Sequence, residues 1–320
     1  MFCGSRAIFS DFAAAARGSQ GGCGFDCSCY TAGVSIAPET VFFQNGDVRL
    51  HAVAAGPKDG PVVVLLHGFP EFWYSWRRQI EPLAAGGFRV VVPDQRGYNQ
   101  SSKPRGVRRY ALSELTSDVM AIADQLGQRK IFLAGHDWGA AVAWSAALSH
   151  AERITKLAIL NVPHPSVMRR YLVSNRLQLR RSWYMFFFQL PFLPEALFSA
   201  NDFRMGASAL KNSSGAGTFT TEDLEQYRAA WSQPGAITAM IHWYRAAFRF
   251  RSHFADLTVR VPTRILWGER DRFLLFEMAE ASLRYCSDGK VISFPEASHW
   301  LQHEEAARVS ELLIEFFRRN

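Results

Sequence analysis

The chain has 320 residues, of which 48% are hydrophobic and 20% are charged, and its formal net charge is +7. A chain of this length and apolar content can bury enough surface to form a large folded domain, which excludes a disordered protein. No uncharged run reaches the roughly 18 to 20 residues that a membrane-spanning helix requires.

The first 39 residues differ in composition from the rest of the chain. Residues 1–39 are rich in Gly, Ala, Ser and Cys, without hydrophobic periodicity or a recognisable export signal. They are predicted to form a disordered N-terminal extension. Cys23, Cys27 and Cys29 have a spacing that matches no zinc site, so we expect no metal there. The single cysteine further along, Cys286, argues against a disulfide-built fold and favours a reducing compartment, the cytoplasm.

Short apolar runs open the next part of the chain. Val41–Phe43 and Val48–Ala54 are separated by Asn45-Gly46-Asp47, a turn sequence that predicts a β-hairpin. Val62–His67 and Phe88–Val92 follow as continuous apolar runs. Such runs are typical of strands that are buried on both faces of a parallel sheet.

Helices and further strands alternate beyond this point. Apolar residues recur at three- and four-residue spacing over 112–126, which predicts a helix that ends before Gly127. The remaining elements are predicted strands at Ile131–Ala134, Ile154–Leu160, Thr263–Trp267 and Val291–Phe294, and a last helix at 304–317. Residues 165–252, by contrast, carry only helical patterns.

This order of elements indicates the fold class. Strands that alternate with helices form a doubly wound, mostly parallel α/β sheet, and a helical stretch between two such strands is an insertion. We therefore predict an α/β core formed by residues 40–164 and 253–320, with a helical cap formed by residues 165–252.

The basic charge is concentrated in the predicted cap. Between Arg169 and Arg251 there are eleven Lys and Arg residues and five Asp and Glu residues, a difference of six out of the net charge of +7. No nucleic-acid-binding motif accompanies them, so we expect no nucleic acid partner. Solvated helix faces explain the charge most simply, and contact with acidic amphiphiles or with a membrane surface remains an open alternative.

A short glycine-bounded motif predicts the nucleophile. Gly135-His136-Asp137-Trp138-Gly139 follows the apolar run at 131–134 and precedes a helix, which is the context of a nucleophile elbow. The central residue of such a turn is usually Ser, whereas here it is Asp137. A carboxylate can displace a leaving group from an sp3 carbon and become an ester, so the suitable electrophiles are epoxides and alkyl halides.

Two further residues complete a triad in the order nucleophile, acid, base. Asp271 follows the strand at 263–267, and His299 follows the strand at 291–294. Each therefore lies just beyond the carboxyl end of a strand, where sheets of this type bind ligands. His299 is predicted to activate a water molecule, and Asp271 to orient its imidazole.

Backbone groups are predicted to form an oxyanion hole. His67-Gly68-Phe69-Pro70 follows the strand at 62–66. The N–H groups of Phe69 and Trp138 are expected to stabilise the negative charge that develops when water attacks the Asp137 ester. One such donor contributes about 2.7–4 kcal/mol.

These motifs resemble those of the epoxide hydrolases of the α/β-hydrolase fold. The matching pieces are His67–Glu71, Trp73–Arg77, Gly135–Gly139, Tyr184–Gln189, Trp243–Arg245 and Ser298–Trp300. The resemblance runs from about Thr40 to the end of the chain and implies an α/β-hydrolase fold with an inserted helical cap. It also implies that Tyr184 and Tyr244 reach down from the cap to hydrogen-bond the epoxide oxygen, and that His67, Pro70 and Phe188 contact the substrate.

One position departs from this family. Asn99 ends the segment Asp94–Asn99, where family members commonly carry glycine. Asn tolerates a left-handed backbone better than most residues, so we expect the turn to form.

The predicted reaction is therefore the opening of an epoxide by water to a vicinal diol, through an ester on Asp137. No metal and no organic cofactor is expected, and the chain is expected to be a monomer or a homodimer. The expected cap lining of Phe186, Phe187, Phe188, Phe192 and Leu193 suggests a bulky apolar epoxide. The basic charge of the cap also permits an amphiphilic substrate, a fatty-acid epoxide with a carboxylate.

Two alternatives remain open. A haloalkane dehalogenase would use the same triad, with Trp138 as one halide donor and one of Trp183, Trp231 and Trp243 as the second. A non-catalytic, hydrolase-like binding protein is the other alternative, although an intact triad and tyrosine pair would serve no purpose there.

Overall fold

A single eight-stranded sheet organises the part of the chain that the computed structural model describes, residues 37–319. Its strands are β1 Glu39–Asn45, β2 Val48–Ala55, β3 Val62–Leu66, β4 Arg89–Pro93, β5 Ile131–His136, β6 Ile154–Leu160, β7 Thr263–Gly268 and β8 Gly289–Phe294. Their order across the sheet is β1-β2-β4-β3-β5-β6-β7-β8. β2 is antiparallel to both of its neighbours, whereas β3 to β8 run parallel. The predicted α/β fold class is confirmed.

The strands predicted from apolar runs are all present, with ends shifted by at most two residues. In the hairpin, Asn45 pairs with Val48, so that Gly46 and Asp47 form a two-residue turn. β3 and β4 are buried along their whole length, as continuous apolar runs predict. β1 begins at Glu39, the last residue of the predicted extension. The cysteines for which no metal was expected lie outside the described residues.

Helices connect the strands of the sheet. Outside residues 165–252 they are α1 Arg77–Ala85, α2 Leu112–Gln125, α3 Trp138–Ser149, α10 Glu277–Ser282, α11 Leu301–Glu304 and α12 Ala306–Arg318. α2 ends as predicted, and Gly127 follows with a φ of 67°. The last predicted helix is confirmed as α12, with its ends shifted by at most two residues, and the short helix α11 that precedes it was not predicted. None of the helices described in residues 37–319 has both the length and the hydrophobicity needed to cross a membrane.

Between β6 and β7 the chain is helical, and we call residues 165–252 the helical insertion. It contains α4 Pro165–Ser174, α5 Arg176–Arg181, α6 Trp183–Phe187, α7 Leu193–Ser213, α8 Thr221–Trp231 and α9 Ala236–Arg249. α7 is interrupted by non-helical backbone from Ala200 to Phe203. The predicted division into core and cap agrees with these element bounds and stays a prediction as a statement about domains.

The turn at Asn99 forms as predicted. Asn99 has a φ of 38°, in the left-handed region that Asn tolerates better than most residues. Its side-chain amide donates a hydrogen bond of 2.8 Å to Oδ2 of Asp94, which helps to hold this conformation.

Candidate active site

The turn from β5 into α3 presents Asp137 at the carboxyl end of the sheet. Asp137 has φ 49° and ψ −122°, a strained conformation that costs about 1–3 kcal/mol. Glycines at positions 68 and 139, which have no Cβ, leave the space that this turn requires. A Cβ at Gly68 would meet the Cβ of Asp137 at 2.5 Å, and one at Gly139 would overlap the backbone carbonyl of Leu66. The predicted elbow geometry is therefore present, and its glycines are required by close backbone approach.

Asp271 and His299 lie beside Asp137 and follow β7 and β8. Oδ2 of Asp271 accepts a hydrogen bond of 2.7 Å from Nδ1 of His299, and Nε2 of His299 lies 3.5 Å from Oδ2 of Asp137. Oδ1 of Asp271 accepts two backbone hydrogen bonds, of 2.7 Å from Phe273 and 2.9 Å from Leu274. Since the carboxylate is buried and fully occupied as an acceptor, it fixes the orientation of the imidazole.

The charges of the three residues are coupled. Burial alone lowers the pKa of His299, but the carboxylates of Asp271 and Asp137 outweigh it and raise the pKa to about 10. Burial raises the pKa of Asp137, yet the hydrogen bond and the charge of His299 outweigh it and lower that pKa. The resting site therefore holds an imidazolium between two carboxylates at neutral pH.

The two predicted oxyanion-hole donors lie beside Asp137, one in the loop after β3 and the other at the start of α3. The backbone N–H of Phe69 donates a hydrogen bond of 2.8 Å to Oδ1 of Asp137. Trp138 is the first residue of α3, so its N–H belongs to the helix N-terminus and has no partner within the helix. Both donors are thus fixed in the backbone next to the carboxylate of Asp137.

Tyr184 and Tyr244 reach the same site from the helical insertion. Tyr184 lies on α6 and Tyr244 on α9, and their ring centroids are 5.9 Å apart. The ring of Tyr244 packs at right angles against Phe69 and Trp138, with centroids 5.1 and 5.0 Å away. Burial raises the pKa of both phenols, and the charge of Asp137 raises it further. The phenols therefore keep their protons and remain hydrogen-bond donors.

A cavity of about 210 Å³ joins these groups. It is lined by Phe69, Pro70, Asp137, Trp183, Tyr184, Phe187, Phe188, Phe198, Met205, Ala209, Tyr244, Phe273, His299 and Trp300. Apart from the carboxylate, the imidazole and the two phenols, the lining is aromatic or aliphatic. A small set of polar groups in an apolar cavity is typical of a site that orients a lipophilic ligand.

Comparison with known proteins assigns the family. The α/β hydrolase fold family matches residues 61–306. Human Epoxide hydrolase 4 is 40% identical over 87% of this chain and 78% of its own length, and Epoxide hydrolase 1 of Caenorhabditis elegans is 39% identical over 85% and 68%. The crystal structure of an epoxide hydrolase from Bacillus megaterium superposes with a TM-score of 0.79 at 29% identity, over 87% of this chain and all of that one. The chain belongs to the epoxide hydrolase family.

In this member of the epoxide hydrolase family, one predicted contact residue does not reach the cavity. His67 is completely buried, and its Nε2 accepts a hydrogen bond of 3.0 Å from the backbone N–H of Gln95. Its Nδ1 must then carry the proton, and it donates to the carbonyl of Gly68 at 2.9 Å. Burial lowers the pKa of His67, which keeps the ring neutral. His67 therefore braces the loop that carries Phe69, whereas Pro70 and Phe188 do line the cavity.

The expected aromatic lining of the insertion is also partly wrong. Phe187 and Phe188 line the cavity, but Phe186, Phe192 and Leu193 are exposed on the surface. α6 is a single short helix, so Phe186 lies on the face opposite to Tyr184 and packs against Phe248, with ring centroids 5.4 Å apart.

The tryptophans considered as halide donors differ in their availability. Nε1 of Trp243 donates to the carbonyl of Arg96 at 3.0 Å, and Nε1 of Trp231 donates to the carbonyl of Pro70 at 2.6 Å. Both indole N–H groups are therefore already engaged in backbone hydrogen bonds. Of the three, Trp183 alone lines the cavity.

Asn161 supports the triad and was not predicted from the sequence. It follows β6, is fully buried, and donates a hydrogen bond of 2.9 Å from Nδ2 to Oδ2 of Asp271. Its φ of 53° lies in the left-handed region. The position beyond the carboxyl end of a parallel strand was a signal that could have identified it.

A buried cluster around Glu71 was also missed, although Glu71 belongs to a recognised motif. Its carboxylate faces Nδ1 of His136 at 3.1 Å and Nε2 of His303 at 2.7 Å, and it accepts hydrogen bonds from Tyr227 and Gln302 at 2.9 and 3.1 Å. Burial raises the pKa of Glu71, but the two histidines outweigh it and lower the pKa. Donors from His303, Tyr227 and Gln302 thus face one ionised carboxylate, and Nδ1 of His136 lies beside it.

This cluster connects the helical insertion with His299, the predicted base. Tyr227 lies on α8, whereas Nε2 of His136 lies 2.8 Å from the backbone carbonyl of His299. Within residues 37–319, no group of three or more His, Cys, Asp and Glu side chains, this cluster included, has an arrangement that could hold a metal ion. Its position suggests that it holds the loop of His299 in place.

Proposed function

We propose that this chain hydrolyses epoxides to vicinal diols through a covalent ester on Asp137. The observation that carries the proposal is the convergence of one carboxylate, one imidazole and two phenols on a single apolar cavity. Oδ1 of Asp137 is held by the N–H of Phe69, which leaves Oδ2, 3.5 Å from Nε2 of His299, to act as the nucleophile. Oδ2 forms a bond to one epoxide carbon while the C–O bond of the epoxide breaks.

The two phenols act on the leaving oxygen. An alkoxide is too basic to leave unassisted, so Tyr184 and Tyr244 hydrogen-bond the epoxide oxygen and one of them gives it a proton. The raised pKa of each phenol means that it is protonated before the reaction begins. The nearby charge of Asp137 disappears when the ester forms, which makes the phenolate easier to form at that moment.

Esterification also prepares His299 for the second step. In the resting site its pKa is raised to about 10, partly by Asp137, so the imidazole starts as a cation. The ester is neutral, and loss of that attraction lowers the pKa of His299. The imidazolium can then lose its proton while the phenolate regains one, so that both phenols and His299 are neutral before water attacks.

Hydrolysis of the ester completes the cycle. Neutral His299 takes a proton from water, and the hydroxide attacks the carbonyl carbon of the ester. Charge develops on Oδ1, where the N–H groups of Phe69 and Trp138 stabilise it. The alkyl oxygen leaves with a proton as the second hydroxyl of the diol. The regenerated carboxyl group of Asp137 returns a proton to His299.

The lining supports a lipophilic epoxide as substrate, small or narrow enough for a cavity of about 210 Å³. We infer that the helical insertion acts as the cap that closes over it. The cytoplasmic location, the monomeric or homodimeric state and membrane contact stay predictions.

A His299→Gln variant tests the two-step scheme. It is incubated with styrene oxide, and its intact mass is measured beside that of Asp137→Ala and of the unmodified sequence. We expect the mass of one substrate molecule on His299→Gln, a peptide ester at Asp137, and no adduct on Asp137→Ala. A diol product formed without any trapped ester would contradict the covalent route.

The dehalogenase alternative is tested with 1-bromobutane in the same assay. Epoxide opening predicts diol from styrene oxide and no bromide release. Bromide release without diol would mean that the two tyrosines only pack against the cavity, and the proposed function would be wrong.

A further inference from the structure

The exposed large apolar side chains are concentrated in the helical insertion. Of those exposed in residues 37–319, ten lie between Val173 and Phe248, and two, Phe42 and Leu257, lie elsewhere. We call residues 176–197 the apolar segment. It carries eight of the ten, which are Leu177, Leu179, Trp183, Phe186, Leu190, Phe192, Leu193 and Leu197. Soluble surfaces seldom expose so many large apolar side chains together, and such regions commonly mark interaction sites.

Phe192 is the most exposed of these residues. Its side chain is 84% exposed, and its backbone has a φ of 60° in the turn between α6 and α7. This conformation is costly for a residue with a bulky side chain. Because the ring gains little burial against the described residues, a contact beyond residues 37–319 is what would favour its position.

Positive charge accompanies the apolar segment. Between residues 165 and 199 there are five arginines and one acidic residue, Glu195. Glu195 is already paired with the buried guanidinium of Arg245, at 2.5 and 3.1 Å. Four of the five arginines are exposed, and no carboxylate in residues 37–319 lies within 4.0 Å of them; they are Arg169, Arg170, Arg176 and Arg180. The segment therefore favours an anionic partner.

The segment also borders the cavity. Trp183 is 62% exposed and at the same time lines the cavity, together with Phe187, whose ring centroid is 5.9 Å away. A lipophilic molecule that reaches the apolar segment would therefore lie next to the cavity mouth.

We propose that the apolar segment docks on an anionic lipid bilayer, and that lipophilic epoxides enter the cavity from that surface past Trp183. The second half of this proposal rests on the proposed function, whereas the docking itself does not. A bilayer with acidic headgroups offers apolar chains and negative charge together. A second copy of the chain fits less well, because a two-fold interface would bring the same unpaired arginines face to face.

Vesicle co-sedimentation tests the docking. The full chain is mixed with vesicles of phosphatidylcholine, with or without phosphatidylserine. We expect binding only with phosphatidylserine, about tenfold weaker for Phe192→Ser, and about fivefold weaker for each of Arg176→Gln and Arg180→Gln. Leu190→Ser is a second apolar variant. The matched controls are Leu257→Ser and Arg105→Gln, at exposed positions outside the insertion, which should bind like the unmodified chain.

Two results of the vesicle experiment would overturn the docking. Absence of binding to both kinds of vesicle would do so, and so would equal losses in the insertion variants and the controls. A concentration-dependent dimer that Phe192→Ser abolishes would identify a second copy as the occupant instead. Diol formation from dissolved styrene oxide without vesicles is measured in parallel and should be unchanged in Phe192→Ser. Loss of diol in every sample would contradict the proposed function and leave the docking result intact.

Discussion

The sheet and the helical insertion meet at one cavity but position their functional groups differently. Asp137, Asp271 and His299 each follow a strand whose residues are paired with neighbours in a fixed register. Their positions are consequences of local chain geometry and of a buried hydrogen-bond network. Because the strand ends are fixed in this way, the side chains that follow them have little freedom of movement.

The insertion is less regular, and specific contacts with the core hold it. α7 is broken, several apolar side chains are exposed, and its helices are anchored by side chains that bond to core backbone. Examples are the indoles of Trp243 and Trp231 and the guanidinium of Arg181, which donates to the carbonyl of Asp271 at 2.8 Å. The two tyrosines thus depend on anchoring rather than on register. We therefore expect substitutions in the core to impair the reaction by removing chemical groups, and substitutions in the insertion to impair it by misplacing them.

Asp271→Asn should show the largest effect, on the core side. Four donors face this carboxylate, and an amide cannot accept from all of them, so the imidazole loses its partner or its orientation. We expect turnover to fall by about 10⁴-fold, with accumulation of the ester. Single-turnover mass spectrometry would separate the two steps. Equal loss of ester formation and of hydrolysis would argue that the residue acts on folding instead.

Glu71→Gln should remove the buried carboxylate that connects the helical insertion with the core. The substitution leaves two histidines and a tyrosine without a buried anion. We expect the free energy of unfolding to fall by about 3–5 kcal/mol, measured by urea denaturation. Tyr227→Phe is the matched control, since it removes a single hydrogen bond to the same carboxylate and should cost about 1 kcal/mol. Equal losses of unfolding free energy in the two variants would show that the charge of Glu71 does not stabilise the cluster.

On the insertion side, Tyr184→Phe and Tyr244→Phe should each slow ester formation by about 10²-fold, because the departing alkoxide loses one proton donor. Stability should change little, since the aromatic packing around each ring is retained. The pre-steady-state rate with styrene oxide measures the effect. Tyr171→Phe, on α4 and outside the cavity, is the control and should leave that rate unchanged.

The same division explains what could be predicted from the sequence. Apolar strand runs and the elbow around Asp137 are short-range patterns, and each predicted triad residue was located by the strand before it. The predicted fold class and family are confirmed. The elements carrying Asp271 and His299 could be located because a strand end fixes the residues that follow it.

Contacts between distant segments account for what the sequence did not reveal. Nothing local distinguishes Phe187, which lines the cavity, from Phe186, which is exposed, until the axis of α6 is known. His67 looks like a contact residue, yet Gln95 and Gly68 take up both of its nitrogens. The cluster at Glu71 joins residues that are 65 to 232 positions apart, a separation that no spacing pattern captures.

The smallest effect is expected for a substitution of Arg270, which is a neighbour of the triad in the chain. Arg270 directly precedes Asp271 in the chain, but its side chain is 62% exposed, and it pairs with Glu296, which is 74% exposed. Exposed ion pairs contribute little, because solvent screens them and both side chains lose freedom. Arg270→Gln should therefore change the free energy of unfolding by less than about 1 kcal/mol and leave turnover within twofold or so of the unmodified chain. Urea denaturation and steady-state assays beside Asp271→Asn provide the measurement. A large effect would mean that nearness along the chain decides a residue's influence, whereas the contrast between Arg270 and Asp271 indicates that burial and hydrogen bonding decide it.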